Sequence, residues 1–441
     1  MRIEIQDKEN FIDMFNDLFR DHKIDKINGI TIDSRKIEKD DIYIPLKGNT
    51  NDGNDYINNA LELGAVKCFS EKELINKNII NVKSSIDTIN YIAKSWNNKT
   101  KHKIIAVTGS NGKTTTKDLI YHIISKNFSC SKSAGNFNSK IGLPLSYLNS
   151  NIKEEYCVLE YGANQIDEIK YLCKIIRPDY SIITNISNSH IENFKTLDNI
   201  LETKKAIFSN LNRNGIAFVN IDDQYISKVK IRFNKITFGF NKDAKYFAKK
   251  YKKLKNYVLE INNKIISLPK NLQHLEKTIL SAYAVSKEIG ISHNDINKYI
   301  NTFNLPDGRG KSIEIEKNIV LIDDCYNANP ASVLLAINRF NDLIIDGKKI
   351  FIFADMLELG AYSKKEHIKV AEILDSTDIN NVITFGKHSY YTYLSLKNKL
   401  IHKKHFQEIE ELKKYFKKLI NKGDSIYLKG SRSMQLERLY N

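Results

Sequence analysis

Short apolar runs alternate with amphipathic stretches along most of this chain. Residues 103–107 (KIIAV) form a continuous apolar run with the reach of a buried strand, and a glycine-containing loop follows. Residues 115–128 (TTKDLIYHIISKNF) then place Leu119, Ile120, Ile123 and Ile124 on one face of a helix. Further apolar runs at 156–162, 180–187, 215–220 and 235–240 are separated by helical patterns, which predicts a predominantly parallel sheet. After LPDGRG (305–310) the alternation restarts: NIVLIDD, a helix at ASVLLAINRF, KKIFIFAD, a helix at KKEHIKVAEIL, NVITFG, a long amphipathic helix from about 405 to 420, and DSIYLKG. That is a second β/α/β set with Rossmann-like layering. Before both, DIYIPLKG (41–48) and the turn-rich NTNDGND (49–55) belong to a region of short strands and turns. The pattern predicts an α/β protein of three domains: a small α/β domain at 1–98, a central parallel-sheet domain at 99–308 and a Rossmann-like domain at 309–441. There is no internal repeat and no low-complexity linker.

Composition narrows the class. A chain of 441 residues is too long for one ordinary core. No stretch approaches the run of about 20 apolar residues that a membrane helix needs, and MRIEIQDKENF mixes charges instead of forming a signal peptide. The expectation is a soluble, cytoplasmic protein. Cys68, Cys130, Cys157, Cys173 and Cys325 are odd in number and form no C-x-x-C pair, which suits free thiols in a reducing compartment. The net charge of +16 raises the question of nucleic acid, but only ten of the 68 basic residues are Arg and the lysines are spread from end to end. A solvated lysine-rich surface is the expected reading, with no nucleic-acid partner. The densest run, KYFAKKYKKLKNY (245–257), lies between strand-like segments and reads as a charged hairpin.

Chemistry concentrates at TGSNGKTTTKD (108–118). Backbone N–H groups of a glycine-rich turn at a helix N-terminus make an anion site, and a lysine adds a point charge for the β and γ phosphates. Thr108, Gly109, Ser110, Asn111, Gly112, Lys113, Thr114 and Thr115 supply these parts, with a hydroxyl at 114 or 115 placed to hold Mg²⁺. The general phosphate-loop pattern puts a glycine where this chain has Val107, so the loop is a variant. An ordinary strand-to-helix turn has no use for a lysine and three threonines in a row. ATP is the expected cofactor. Elsewhere, Glu160 ends an apolar strand, His190 follows the strand at 181–185, and Lys204 sits in ETKKAIF. Taken singly, each has a bland reading as a structural carboxylate, a packing histidine or a solvated lysine.

Together with GNFNSKIGLPL (135–145), LEYGANQIDEI (159–169), ITNISNSHIENF (183–194) and TKKAIF (203–208), the loop resembles the Mur ligases of peptidoglycan synthesis. Within that family, TIDSRK, PLKGNTNDGND, IDDCYNANPAS (322–332), DMLELG (355–360) and KGSRSM (429–434) resemble the type that adds D-Ala-D-Ala. No DNPR-type motif of the diaminopimelate-adding and lysine-adding relatives is present. The resemblance implies that ATP phosphorylates the terminal carboxylate of UDP-MurNAc-tripeptide, that the amine of D-Ala-D-Ala attacks the acyl phosphate, and that a monomeric enzyme closes its domains over the site. It further implies catalytic roles for Lys113, Lys204 and His190, and Mg²⁺ held by Thr114, Glu160 and His190 with the help of a carbamylated Lys204. Asn185, His274, Arg309, Asp324 and Asn327 match nucleotide contacts. Ser34, Arg35, Lys47, Gly48, Asn136, Asn138, Asn329, Leu357, Glu358 and Ser431 match substrate contacts.

The chain departs from the family pattern at Lys140, at Gln165, Ile166 and Asp167, at Ala206, and at HLEKTI (274–279), where only His274 remains. The competing readings are the tripeptide-forming ligase of the same family, a folylpolyglutamate synthetase, and a nucleic-acid-stimulated ATPase. IDDCYNANP argues against the first two; only net charge favours the third.

Overall fold

The structure, a computed structural model, describes every residue except Asn49, Leu254, Lys255, Lys317 and Asn441. Three sheets carry the fold, each with helices, so the chain is a three-domain α/β protein. The N-terminal sheet has five strands in sequence order: Arg2–Glu4 lies antiparallel to Gly29–Thr31, and Ile42–Tyr43, Lys67–Ser70 and Ile79–Asn81 continue in parallel.

The central parallel sheet is built around Lys103–Thr108. This strand is flanked by Tyr156–Glu160 on one side and Tyr180–Ile183 on the other, with Cys130–Lys132 beyond the first and Ile216–Asn220, then Asn234–Gly239, beyond the second. Strand order therefore reverses beside Lys103–Thr108, and crevices at such points are where α/β sheets bind ligands. Helix Ser85–Thr100 leads into this sheet. Ser84 caps it by accepting from the Asp87 N–H, it buries Ile89, Ile92, Ala93 and Trp96, and it ends on left-handed Lys101. It thus runs through residues 98 and 99, where the hydrophobic pattern suggested a junction.

In the C-terminal sheet, Lys311–Glu316 pairs antiparallel with Ile319–Asp324, and Ser425–Lys429, Lys349–Ala354, Asn381–Phe385 and His402–Phe406 follow in parallel. The core here is Leu321, Ile350, Ile352, Ile383, Ile426 and Leu428. The long helix expected from 405 is shorter, Ile409–Leu419. Residues 405 and 406, expected at its start, instead close the edge strand His402–Phe406, because five residues of pairing to Asn381–Phe385 outweigh an apolar spacing that also fits a helix. The basic run at 245–257 is a strand over Tyr246–Lys253, parallel at its start to Asn234–Gly239. The turn expected within it falls on residues outside those described.

By contacts the described chain divides into two compact units: 1–184, 202–248 and 278–299 form one, and 185–201, 249–277 and 300–441 the other. Segments 185–201 and 249–277, assigned by pattern to the central domain, thus cluster with the C-terminal sheet. No helix among the described residues is long and apolar enough to cross a membrane.

Candidate active site

Val107 explains the variant loop. It is the last fully buried aliphatic residue of its strand, paired with Glu160 on one side and Ile182 on the other. The strand continues to Thr108, whose hydroxyl donates to the Tyr161 carbonyl at 2.7 Å. The turn therefore starts at Gly109, at φ +145°, where a Cβ would lie 1.9 Å from Thr184 Oγ1. The same Thr184 hydroxyl donates to the Asn111 carbonyl at 2.6 Å and fixes the loop from the neighbouring strand. Left-handed Gly112 (φ +75°) leads into helix Lys113–Ile124.

Lys113 Nζ lies over this loop, donating to the carbonyls of Gly109 (2.9 Å) and Ser110 (3.1 Å). Between the two candidate hydroxyls, the structure singles out Thr114, which donates to Glu160 Oε2 at 2.7 Å in a buried pair. Glu160 Oε1 accepts from Asn138 Nδ2, also at 2.7 Å. That approach requires Gly162, since a Cβ there would sit 2.5 Å from the Asn138 side chain. Asn138 is thus spent on Glu160, whereas Asn136 in the same loop is exposed.

Lys204, on helix Leu197–Ser209, is almost fully buried. Desolvation pushes its amine well below the ordinary lysine pKa, Lys113 adds in the same direction, and Glu160 and Glu168 oppose. Lowering the amine's pKa favours its neutral, nucleophilic form, the form that reacts with CO₂. Among the described residues, no three His, Cys, Asp or Glu side chains gather as a ready metal cage. Thr114 and Glu160 offer a hydroxyl and one carboxylate, hard oxygen donors that suit Mg²⁺, an ion that keeps several of its waters. A carbamate on Lys204 would add a second anion. These residues fit the ion.

The other compact unit holds the remaining candidates. His190, at φ +51°, sets its Nδ1 against the Glu358 carboxylate, and Glu358 is itself at φ +62°. The imidazole holds the Glu358 carboxyl below its usual range. Asn185 follows strand Tyr180–Ile183 and is half-buried. Desolvation, then Arg339 and Lys250, drive His274 well below the ordinary histidine pKa. The Arg309 guanidinium stacks 3.8 Å over the Tyr326 ring. Asp324 and Asn327 share one clamp: Lys429 Nζ donates to Asp324 Oδ2 and to the Asn327 carbonyl, both at 2.9 Å. Leu357 N–H donates to Ser431 Oγ at 2.9 Å, tying DMLELG to KGSRSM. Asn329, expected on the substrate, caps helix Pro330–Asn341 in a capping box with Ser332, its side-chain oxygen accepting from the otherwise orphan Ser332 N–H.

In the N-terminal sheet domain, Ser34 opens the turn Ser34–Lys36. Arg35 is bound to Asp33 at 2.8 Å and holds that carboxyl down to about 2. The backbones of Lys47 and Asp52 pair as an isolated antiparallel β-bridge, and the Gly48 N–H donates to the Asn51 carbonyl at 2.8 Å.

Sequence reading missed Lys117, Thr184, Tyr326 and Lys429 as parts of these arrangements. Lys117 left a signal: at i, i+3 and i+7 with Ile120 and Ile124, it is a lysine on the apolar face of its helix.

Three family descriptions match in order along the chain: the Mur ligase family catalytic domain at 26–103, the Mur ligase middle domain at 107–286, and the Mur ligase glutamate ligase domain at 308–432. A UDP-N-acetylmuramoyl-tripeptide--D-alanyl-D-alanine ligase of Rickettsia prowazekii is 32% identical over 426 residues, covering 93% of this chain and 94% of the relative. The chain belongs to the Mur ligase family. A Bacillus subtilis protein of the same name is 29% identical, with 94% and 92% of the two chains covered. Among solved structures, a Thermotoga maritima MurF ligase in complex with ADP aligns with a TM-score of 0.81 and 30% identity, over 93% of this Mur ligase and 95% of that chain. A MurF of Acinetobacter baumannii aligns with a TM-score of 0.85 at 25% identity, over 97% of each chain.

Proposed function

We propose that this Mur ligase joins D-Ala-D-Ala to UDP-MurNAc-tripeptide at the expense of ATP, releasing UDP-MurNAc-pentapeptide, ADP and phosphate. The observation that carries the reading is near-complete coverage of relatives bearing that ligase name, together with the buried Thr114–Glu160 pair at the phosphate loop.

Two anions, a peptide carboxylate and the γ-phosphate, have to meet, so the site must supply positive charge. Lys113 releases its loop carbonyls to take the phosphates. Mg²⁺, when bound, neutralises charge on the transferring phosphoryl group. Thr114 and Glu160 would hold it, with a carbamylated Lys204 and, by family resemblance, His190. The carboxylate oxygen attacks the γ-phosphorus and ADP leaves. The dipeptide amine then attacks the acyl carbon, loses a proton, and the tetrahedral adduct expels phosphate.

Residues 1–98 are assigned to the uridine-nucleotide substrate through Ser34, Arg35, Lys47 and Gly48, residues 99–308 to ATP, and residues 309–441 to nucleotide and dipeptide through Arg309, Asp324, Asn327, Leu357, Glu358 and Ser431. Within 99–308, Asn185 and His274 join the phosphate loop at 108–115 as assigned nucleotide contacts. The five free thiols, four of them buried, suit a cytoplasmic setting, and a monomer is the simplest state for this reading. Phosphate release from ATP with UDP-MurNAc-tripeptide, measured with and without D-Ala-D-Ala, tests it: release is expected only with both substrates, and release independent of the dipeptide would refute the assignment.

A further inference from the structure

Lys117 occupies the helix that begins with Lys113, yet it faces inward and is fully buried. Its Nζ donates to two backbone carbonyls, Ser133 and Gly135, both at 2.9 Å, and lies 3.5 Å from the Asp118 carboxylate. Desolvation lowers its pKa, while Asp118 and Glu160 pull the other way and favour the cation. Burying an ammonium is costly unless its hydrogen bonds are met, and here they are met by a single turn.

That turn is joined to Glu160 twice. The Glu160 N–H donates to Ser133 Oγ at 3.1 Å, and three residues beyond Gly135 the Asn138 carboxamide donates to Glu160 Oε1. Ser146 Oγ accepts from the Ala134 N–H at 2.8 Å and holds the turn from a third direction. A continuous chain of contacts therefore runs from the phosphate-loop helix through Lys117 to the 133–138 turn and back to the carboxylate that takes the Thr114 hydroxyl.

We propose that Lys117 is a positioning residue, a buried cationic strut that sets the Glu160 carboxylate opposite Thr114 and so tunes Mg²⁺-dependent nucleotide binding. The proposal rests on the reading of Thr114 and Glu160 as Mg²⁺ ligands. It assigns Lys117 no contact with ATP or peptide.

Calorimetric titration of ADP, with and without Mg²⁺, tests it in wild type and in Lys117→Met. Wild type is expected to bind ADP more tightly with Mg²⁺. In Lys117→Met the Mg²⁺-free affinity is retained while apparent Mg²⁺ affinity falls about tenfold, the usual range for losing an outer-shell partner. In turnover, kcat drops at low Mg²⁺ and recovers at high Mg²⁺. If Lys117→Met does not melt cooperatively, Lys117→Arg carries the test, with a smaller shift in the same direction. Equal weakening with and without Mg²⁺, or an unchanged Mg²⁺ dependence, would overturn the strut. If wild-type ADP binding ignores Mg²⁺, the ligand reading fails first and takes the strut with it.

Discussion

The Thr114 hydroxyl donates to the Glu160 carboxylate at 2.7 Å, joining a helix N-terminus to the end of a strand in a buried pair. The phosphate loop and the second strand thus present one hydroxyl and one carboxylate to the same point. Replacing Glu160 with Gln keeps the side chain's shape and lets its oxygen accept from Asn138 while its NH₂ donates to the Thr114 hydroxyl, but it removes the charge. Apparent Mg²⁺ affinity, read from phosphate release against Mg²⁺ concentration, is expected to fall by about 10- to 100-fold. An unchanged Mg²⁺ requirement would remove Glu160 from the metal site.

Lys204 gives a second prediction, with a sign. Its folded-state pKa lies below that of an unfolded lysine, near 10.4. Between those two values the unfolded chain binds more protons, so an unmodified Lys204 makes the fold gain stability as pH rises and lose it as pH falls. In bicarbonate-free buffer, the melting temperature is expected to rise from pH 7 to pH 9 more steeply than in Lys204→Met; parallel curves would contradict the shift. Lys204→Ala should abolish ligation, with partial rescue by a short carboxylate that replaces the carbamate anion. Full activity of the alanine variant would refute the role.

Gly109 admits no side chain. At φ +145° with Thr184 Oγ1 1.9 Å from the position of a Cβ, Gly109→Ala must shift the loop or the strand. The strain is of order 1–3 kcal/mol, and ATP affinity is expected to collapse because the loop N–H groups move. Wild-type nucleotide binding by the variant would show the loop to be more adaptable than its packing indicates.

Lys429 is nearly buried and clamps both Asp324 and the Asn327 carbonyl. Lys429→Met leaves Asp324 with Tyr427 but without its cation, and breaking such a pair costs about 3 kcal/mol when solvent cannot compensate. Chemical denaturation should show this loss, together with a raised KM for ATP if Asp324 and Asn327 contact nucleotide. A variant as stable as wild type would mean the pair is solvent-screened.

Much of the site was legible because its parts are local. The phosphate loop is a strand, a turn and a helix start, whose backbone geometry is set within ten residues; Val107 is still strand, and the turn opens only after Thr108. Glu160 could be suspected from its place at a strand end. Lys117 and Lys429 could not be assigned this way: each acts through backbone carbonyls distant in sequence, and nothing in a lysine's neighbours reveals which carbonyls will face it. The edge strand His402–Phe406 was hidden for the same reason, since each of its residues pairs with one 21 positions earlier, His402 with Asn381. Asn329 shows the converse, a residue whose helix-capping role was open to a local reading but was displaced by family resemblance.

By itself the sequence determined the α/β alternation, the three-domain plan, the variant loop and the ligase family, because periodicity and short motifs are properties of adjacent residues. Tertiary structure decided the rest. It brought Thr114 within hydrogen-bond reach of Glu160, held Asn138 against that same carboxylate, buried Lys204 deeply enough to lower the pKa of its amine, and grouped 185–201 with the C-terminal sheet so that His190 meets Glu358. Those outcomes depend on which strands lie side by side and how much water their packing excludes, and neither quantity is carried by residues in sequence order.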